Sequence, residues 1–232
     1  MTGTAVEAER RKFDALAGQW WDPDGPMRPL HRMNPLRTGW IAQRLGGVAG
    51  KAILDVGCGA GLASEAFARM GAQVTGVDAA GAALAAARAH ADAGGLDIDY
   101  RDGAPEDLLA EGARFDAVVA LEVIEHVADR PAFLAALAGL AKPGAPIFLS
   151  TLNRTARSFL FAKLGAEYLL RMLPIGTHDW RMFLSPGELG AALRPAGYRI
   201  TDLAGMTMSP TGQWRETRDL AVNYLAMARP AG

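Results

Sequence analysis

From residue 51 onward the chain alternates between short apolar runs and longer alanine- and leucine-rich segments. That alternation constrains the fold more than any other feature. KAILDV (51–56) reads as a buried strand and LASEAFARMGA (62–72) as a helix closed by Gly71. AQVTGVD (72–78) is the next strand, followed by the alanine-rich helix of 80–95 and the strand DIDY. FDAVVAL (115–121) and APIFLST (145–151) are a fourth and a fifth strand, and the helix between them stops at Pro143-Gly144. Strands that alternate with helices of this length predict an α/β fold, with a mostly parallel sheet covered on both faces. Two late runs, YRITDLAG (198–205) and LAVNYLAMA (220–228), add antiparallel strands at the sheet edge and bring the expected number to seven.

The predicted organisation is one domain. Residues 1–50 form an N-terminal helical lid, 51–153 the core, 154–183 a lid or membrane-facing insertion after the fifth strand, and 184–232 a C-terminal helix with edge strands. At 232 residues such a domain buries a substantial core without disulfides or a structural metal. Lys and Arg (24) nearly balance Asp and Glu (25), which argues against a nucleic-acid binder. One cysteine, Cys58, excludes a disulfide framework or a multi-cysteine zinc site and fits a reducing compartment. With no signal-peptide pattern and no run near the roughly 20 apolar residues of a spanning helix, the expectation is a cytoplasmic protein, or one attached peripherally to the inner face of the membrane.

DVGCGAG (55–61) follows a strand and opens a helix. Gly57, Gly59 and Gly61 permit a tight turn and close approach of backbone to a ligand. The spacing is G-x-G-x-G, without the dinucleotide fingerprint G-x-G-x-x-G. Asp78 ends the second strand, where a carboxylate can accept hydrogen bonds from both hydroxyls of a ribose. An ordinary βα turn with a capping aspartate is the weaker reading.

These motifs resemble those of class I S-adenosylmethionine-dependent methyltransferases. The resemblance implies that DVGCGAG approaches the cofactor's methionine part and Asp78 its ribose. Where that class often carries an acid before the adenine-side turn, this chain has Ala104 in GAPEDL, which leaves a backbone contact as the alternative. WWDPDGPMRPLHRMNPLR (20–37), STLNRT (150–155), GAEYLLRMLPIGTHDW (165–180) and VNY (222–224) resemble more narrowly the ubiquinone-biosynthesis O-methyltransferases, over nearly the whole chain. That family resemblance implies methylation of phenolic hydroxyls on a polyprenylated catechol and on demethylubiquinol, and association with other enzymes of the pathway. It also implies cofactor contacts at Arg37, Gly57, Asp78 and Leu121. A guanidinium at Arg37 suits the cofactor's carboxylate; read without the resemblance, Arg37 is a surface arginine on a helix following Pro35.

ALEVIEHV (120–127) sets Glu122, Glu125 and His126 in an otherwise apolar run. A helix after the fourth strand would put all three on one face. Two carboxylates and an imidazole suit Mg²⁺, Mn²⁺ or Zn²⁺, which would acidify a phenol and orient a catechol. The competing readings have Glu125 and His126 only brace the loop or act as base, with His126 as the substrate-side base the main competitor. His31, His178 with Asp179, and His90 rank lower, and His90 on its alanine-rich helix reads as solvated. RTARSFLFAKLGAEYLLR (154–171) is amphipathic with basic edges, carrying Arg154, Arg157, Lys163 and Arg171 against Glu167. Together with Met172 it suits either an anionic membrane surface or a lid packed on the domain. Other readings are a methyltransferase for another small hydroxylated metabolite and a non-catalytic nucleotide-binding module.

Overall fold

The structure is a computed structural model that describes residues 17–159, 180–209 and 212–232. Most of the basic amphipathic segment and the GTHDW histidine lie outside the described residues. The strands are β1 (Ala52–Val56), β2 (Gln73–Asp78), β3 (Ile98–Asp102), β4 (Ala117–Leu121), β5 (Ile147–Leu152), β6 (Tyr198–Met208), β7 (Trp214–Thr217) and β8 (Asn223–Pro230). They form one sheet in the order β3-β2-β1-β4-β5-β8-β6-β7. β1 to β5 are parallel, whereas β8, β6 and β7 join antiparallel. All seven expected strands are present, and the short β7 adds an eighth as a hairpin partner of β6.

The helices are α1 (Arg28–Arg44), α2 (Leu62–Arg69), α3 (Gly81–Ala93), α4 (Pro105–Ala110), α5 (Arg130–Leu140), the single turn α6 (Ala156–Phe159) and α7 (Pro186–Leu193). Side chains alternate across a strand, so each strand feeds both faces of the sheet. Ile53, Val119 and Phe148 pack with Trp40 and Ile41 of α1 and Phe67 of α2. Leu54, Val118 and Leu149 pack with Phe133 and Leu137 of α5 and Leu189 and Leu193 of α7. The N-terminal region thus contributes a sheet-covering helix, with Ile41 fully buried.

The sheet order also locates the site. The chain leaves β1 toward β2 and β3, then crosses back to β4 and β5 on the other side. The carboxyl ends of β1 and β4 therefore flank the point where the winding reverses, which is the usual ligand crevice of such sheets.

Candidate active site

The turn after β1 is held by backbone bonds from Gly57 N (2.8 Å) and Cys58 N (3.3 Å) to the Val77 carbonyl. Gly57, Gly59 and Gly61 all have positive φ (68°, 54° and 86°). At Gly57 a Cβ would run into Val123, so the turn after β4 leans directly on the turn after β1. At Gly59 a Cβ would lie 2.6 Å from the Trp20 ring, so the N-terminal segment also reaches the turn. Asp78 clasps it from β2: Oδ2 accepts from Gly59 N and Oδ1 from Ala80 N, each at 2.8 Å. Cys58 is buried, and burial pushes its thiol well above the usual range, so it is no nucleophile here. After β3, the Ala104 N–H donates to the Asp107 carboxylate at 2.9 Å.

Arg37 is not the surface arginine that its sequence neighbourhood suggests. It is buried in α1, which runs through Pro35 without ending. Its Nη2 reaches Asn34 Oδ1 at 3.5 Å, while Nε has no hydrogen-bond partner. Burial lowers its pKa, opposed by the charges of Glu122 and Asp55. Asp55, at the end of β1, accepts from Ser64 Oγ at 2.6 Å, and burial pushes its carboxyl up to about 6. A buried cation with an unsatisfied donor suits an incoming carboxylate.

The segment after β4 does not form the helix that the i, i+3, i+4 spacing suggests. Asp129 caps α5 by accepting from Ala132 N at 3.0 Å, and Pro131 fixes its first turn, so few residues remain to connect the elements. They make a 3₁₀ turn over Ile124–His126, preceded by Glu122 in the left-handed region at φ 57°. Glu122 N donates to Ser150 Oγ at 3.0 Å, and Ser150 Oγ donates to Glu122 Oε1 at 2.6 Å. Glu125 is buried, and neither of its carboxylate oxygens has a hydrogen-bond partner. Burial first, then the Glu122 charge, drive its pKa well above the usual range. His126 is half-buried at the end of the turn.

The metal set expected at Glu122, Glu125 and His126 does not stand assembled in this conformation. Among the described residues no three His, Cys, Asp or Glu side chains gather as a metal-holding group. Glu122 and Glu125 are close enough to interact, but Glu122 precedes the turn that carries Glu125 and His126, and so the shared helical face is missing. Leu121, half-buried at the end of β4, pairs with Ser150 of β5 and lies beside this cluster.

Several residues around the site were given no role, or a lesser one, by the sequence. Arg130 donates from Nε to Ile124 O (3.3 Å) and from Nη2 to Met182 O (2.5 Å), and so ties the turn to the chain after the insertion. The fully buried Tyr224 donates to Leu184 O at 3.0 Å. Burial, with the charges of Glu125 and Glu122, raises its phenol pKa. His90 is not simply solvated: Nδ1 lies 2.7 Å from Oε1 of buried Glu65, and its ring stacks on Trp21. Trp21 Nε1 also donates to Ala60 O at 3.0 Å, and His31 Nε2 meets the Trp20 carbonyl at 2.8 Å. Trp20 and Trp21 thus form a cap over the glycine turn, packed with Met27, Leu62, Ala80 and Ala83.

A methyltransferase-domain family profile matches residues 54–149. The ubiquinone biosynthesis O-methyltransferase of Azorhizobium caulinodans is 47% identical, covering 100% of this chain and 97% of its own. That of Alkalilimnicola ehrlichii is 48% identical over 97% of this chain and 96% of its own. The chain belongs to the ubiquinone biosynthesis O-methyltransferase family. Among solved structures, magnesium protoporphyrin IX methyltransferase from Synechocystis superposes with a TM-score of 0.68 at 21% identity, over 95% of this chain and 97% of that one. At that identity the likeness shows the fold alone, and the fold is that of a class I methyltransferase.

Proposed function

We propose that this chain is an S-adenosylmethionine-dependent O-methyltransferase of ubiquinone biosynthesis, acting on phenolic hydroxyls of a polyprenylated catechol and of demethylubiquinol. The observation that carries the reading is near-full-length identity of 47–48% to enzymes of that name, in a chain whose cradle suits the cofactor. Two features of the cradle support the fit. Gly57 and Gly59 hold positive φ where the turn is packed too closely by Val123 and Trp20 to admit a Cβ, and Arg37 has a buried, unsatisfied Nε. The turn of Gly57, Gly59 and Gly61 would take the methionine part, Arg37 its carboxylate, Asp78 the ribose hydroxyls, and Leu121 one wall. S-adenosylmethionine, when bound, supplies an electrophilic methyl group on a sulfonium.

The chain's own task is alignment and deprotonation. A phenol with a pKa of about 10 is mostly protonated at neutral pH. His126, half-buried at the mouth of β4, is the base that would take that proton, with Glu125 as the neutral, buried brace beneath it. The Trp20–Trp21 cap excludes water from the cradle. Nucleophilic attack then needs the acceptor oxygen in line with the methyl carbon.

A divalent cation is the second reading, and the partnerless oxygens of buried Glu125 are the observation in its favour. Glu122, Glu125 and His126 would hold Mg²⁺, Mn²⁺ or Zn²⁺, which would acidify the phenol. Against it, no three His, Cys, Asp or Glu side chains among the described residues gather as a metal-holding group.

Peripheral attachment to an anionic membrane through 154–172 would give access to a polyprenyl substrate. Among the described residues no helix is long and apolar enough to cross a membrane. The deciding assay compares methyl transfer to short-chain polyprenyl catechols and demethylubiquinol analogues with transfer to simple catechols. Preference for the prenylated acceptors supports the proposal. Equal or better use of simple catechols moves it to another small hydroxylated metabolite, and cofactor binding without turnover on any phenol makes the chain a binding module.

A further inference from the structure

We propose that Ser150 is a positioning residue for methyl transfer: from inside β5 it grips Glu122 at both backbone and carboxylate and fixes that side chain between the cofactor cradle and the acceptor. The inference rests on the methyl-transfer reading and adds two residues to it.

Ser150 occupies an apolar setting. It is fully buried, it pairs across the sheet with Leu225, and alternation puts its side chain on the same face as Phe148. Packing alone would favour an aliphatic side chain there, because a buried hydroxyl is costly unless it is hydrogen-bonded. Its bonds go to Glu122. The hydroxyl accepts from Glu122 N (3.0 Å) and donates to Glu122 Oε1 (2.6 Å), and the Ser150 carbonyl accepts from the same Glu122 N–H at 3.1 Å.

Glu122 is the one described non-glycine residue with positive φ. A glutamate in the left-handed region persists only where its surroundings over-determine it, and such residues concentrate at functional sites. Here the over-determination comes from Ser150. The position is central: Leu121 precedes it, Val123 after it abuts Gly57, and its charge is felt by Arg37, Glu125 and Tyr224. Glu122 is half-buried, and with Ser150 holding Oε1 its carboxylate is placed to accept a hydrogen bond from an acceptor hydroxyl. Ser150 acts through Glu122 and touches no reactant.

A double-mutant cycle tests this. Turnover of a short-chain polyprenyl catechol is measured for wild type, Ser150→Ala, Glu122→Gln and the double variant. Thermal unfolding and S-adenosylhomocysteine binding by calorimetry monitor the fold. Ser150→Ala is expected to lower kcat about 10-fold or more with the cofactor Kd unchanged, and to change kcat less than about twofold in the Glu122→Gln background. Ser150→Thr, which keeps the hydroxyl, should recover most of the loss. Should Ser150→Ala fail to fold, Ser150→Cys keeps the bulk without the strong donor and replaces it in the cycle. Equal losses in both backgrounds, or wild-type kcat without the hydroxyl, overturn the proposal. Absence of turnover in the wild type would instead defeat the methyl-transfer reading itself.

Discussion

The Trp21 indole lies flat on the His90 imidazole, with ring centroids 3.5 Å apart and planes within 2°. His90 is in turn held by buried Glu65, and Trp21 by its bond to the Ala60 carbonyl beside the glycine turn. This pair latches the N-terminal cap onto the glycine turn. Trp21→Ala removes both the stack and the bond, and an aromatic pair of this kind is worth about 0.5–1.5 kcal/mol. It is expected to raise the Kd for S-adenosylhomocysteine several-fold and to speed its release, read by calorimetry and stopped-flow fluorescence. His90→Ala should do less, because Glu65 keeps its 2.7 Å bond to Arg69 and Trp21 keeps Ala60. Unchanged release from Trp21→Ala would mean that the cap does not cover the cofactor.

Gly59 is constrained twice, by φ of 54° and by the Trp20 ring 2.6 Å from where a Cβ would sit. Gly59→Ala should therefore destabilise the protein by about 1 kcal/mol or more, a fall in Tm of about 2–4 °C or greater for a chain of this size. Trp20→Ala in the same chain relieves the collision but not the backbone strain, so the double variant should recover part of the loss. Full recovery would show that φ contributes nothing, and no recovery that Trp20 does not meet the turn.

Asp55 gives the site a pH signature. Burial holds its carboxyl at about 6 in the folded chain, against an ordinary value of 3.8. The folded state thus binds its proton more tightly than the unfolded state does. The stability it contributes is complete below about 3.8 and is lost as the pH rises through about 6. Asp55→Asn should flatten that part of the curve, so that its stability relative to wild type improves between pH 4 and pH 7 by an amount on the order of 2 kcal/mol. Urea unfolding across that range measures it, and parallel curves for the two proteins would refute it.

Glu125 carries the same sign, because burial and Glu122 favour its neutral form. In metal-free protein Glu125→Gln mimics that form and should leave Tm at pH 7.5 unchanged or slightly higher. Turnover after EDTA treatment separates the two readings of this carboxyl. A loss that Mg²⁺, Mn²⁺ or Zn²⁺ restores in wild type but not in Glu125→Gln would establish a cation held there. Undiminished turnover in both leaves His126 as the base.

What the sequence conveyed and what it concealed divide along chain distance. The glycine turn and Asp78 were legible because local backbone needs select their residue types within a few positions of each strand end. Arg37 pointed inward only through its resemblance to a family; helix propensity and neighbouring prolines suggest a surface. His90 was misjudged because its partner Trp21 is distant in the chain, and no periodicity links an alanine-rich helix to a capping loop. Glu122, Glu125 and His126 stood out by their charge in an apolar run, but their spacing was read on a helix that Asp129 and Pro131 do not leave room to form. Ser150 was invisible for a related reason, since its partner is on the neighbouring strand.

The same long-range pairing bears on membrane attachment. Arg157 lies 2.9 Å from Asp219, and Arg154 pairs with Glu188, so two of the four cations expected to face an anionic surface already have intramolecular partners. Arg157 remains largely exposed, and the partner of its guanidinium is one carboxylate in the loop between β7 and β8. Asp219→Asn neutralises that carboxylate while Oδ1 can still accept from Ala221 N, as it does now at 2.9 Å. A freed basic residue near such a surface is worth about 1 kcal/mol, so binding to anionic vesicles at low salt should rise about fivefold. Neutral vesicles should show no gain, and added salt should erase it on anionic ones. Flotation with vesicles of the two compositions measures both. If Asp219→Asn binds anionic vesicles no better than wild type, residues 154–172 do not contact the membrane through Arg157.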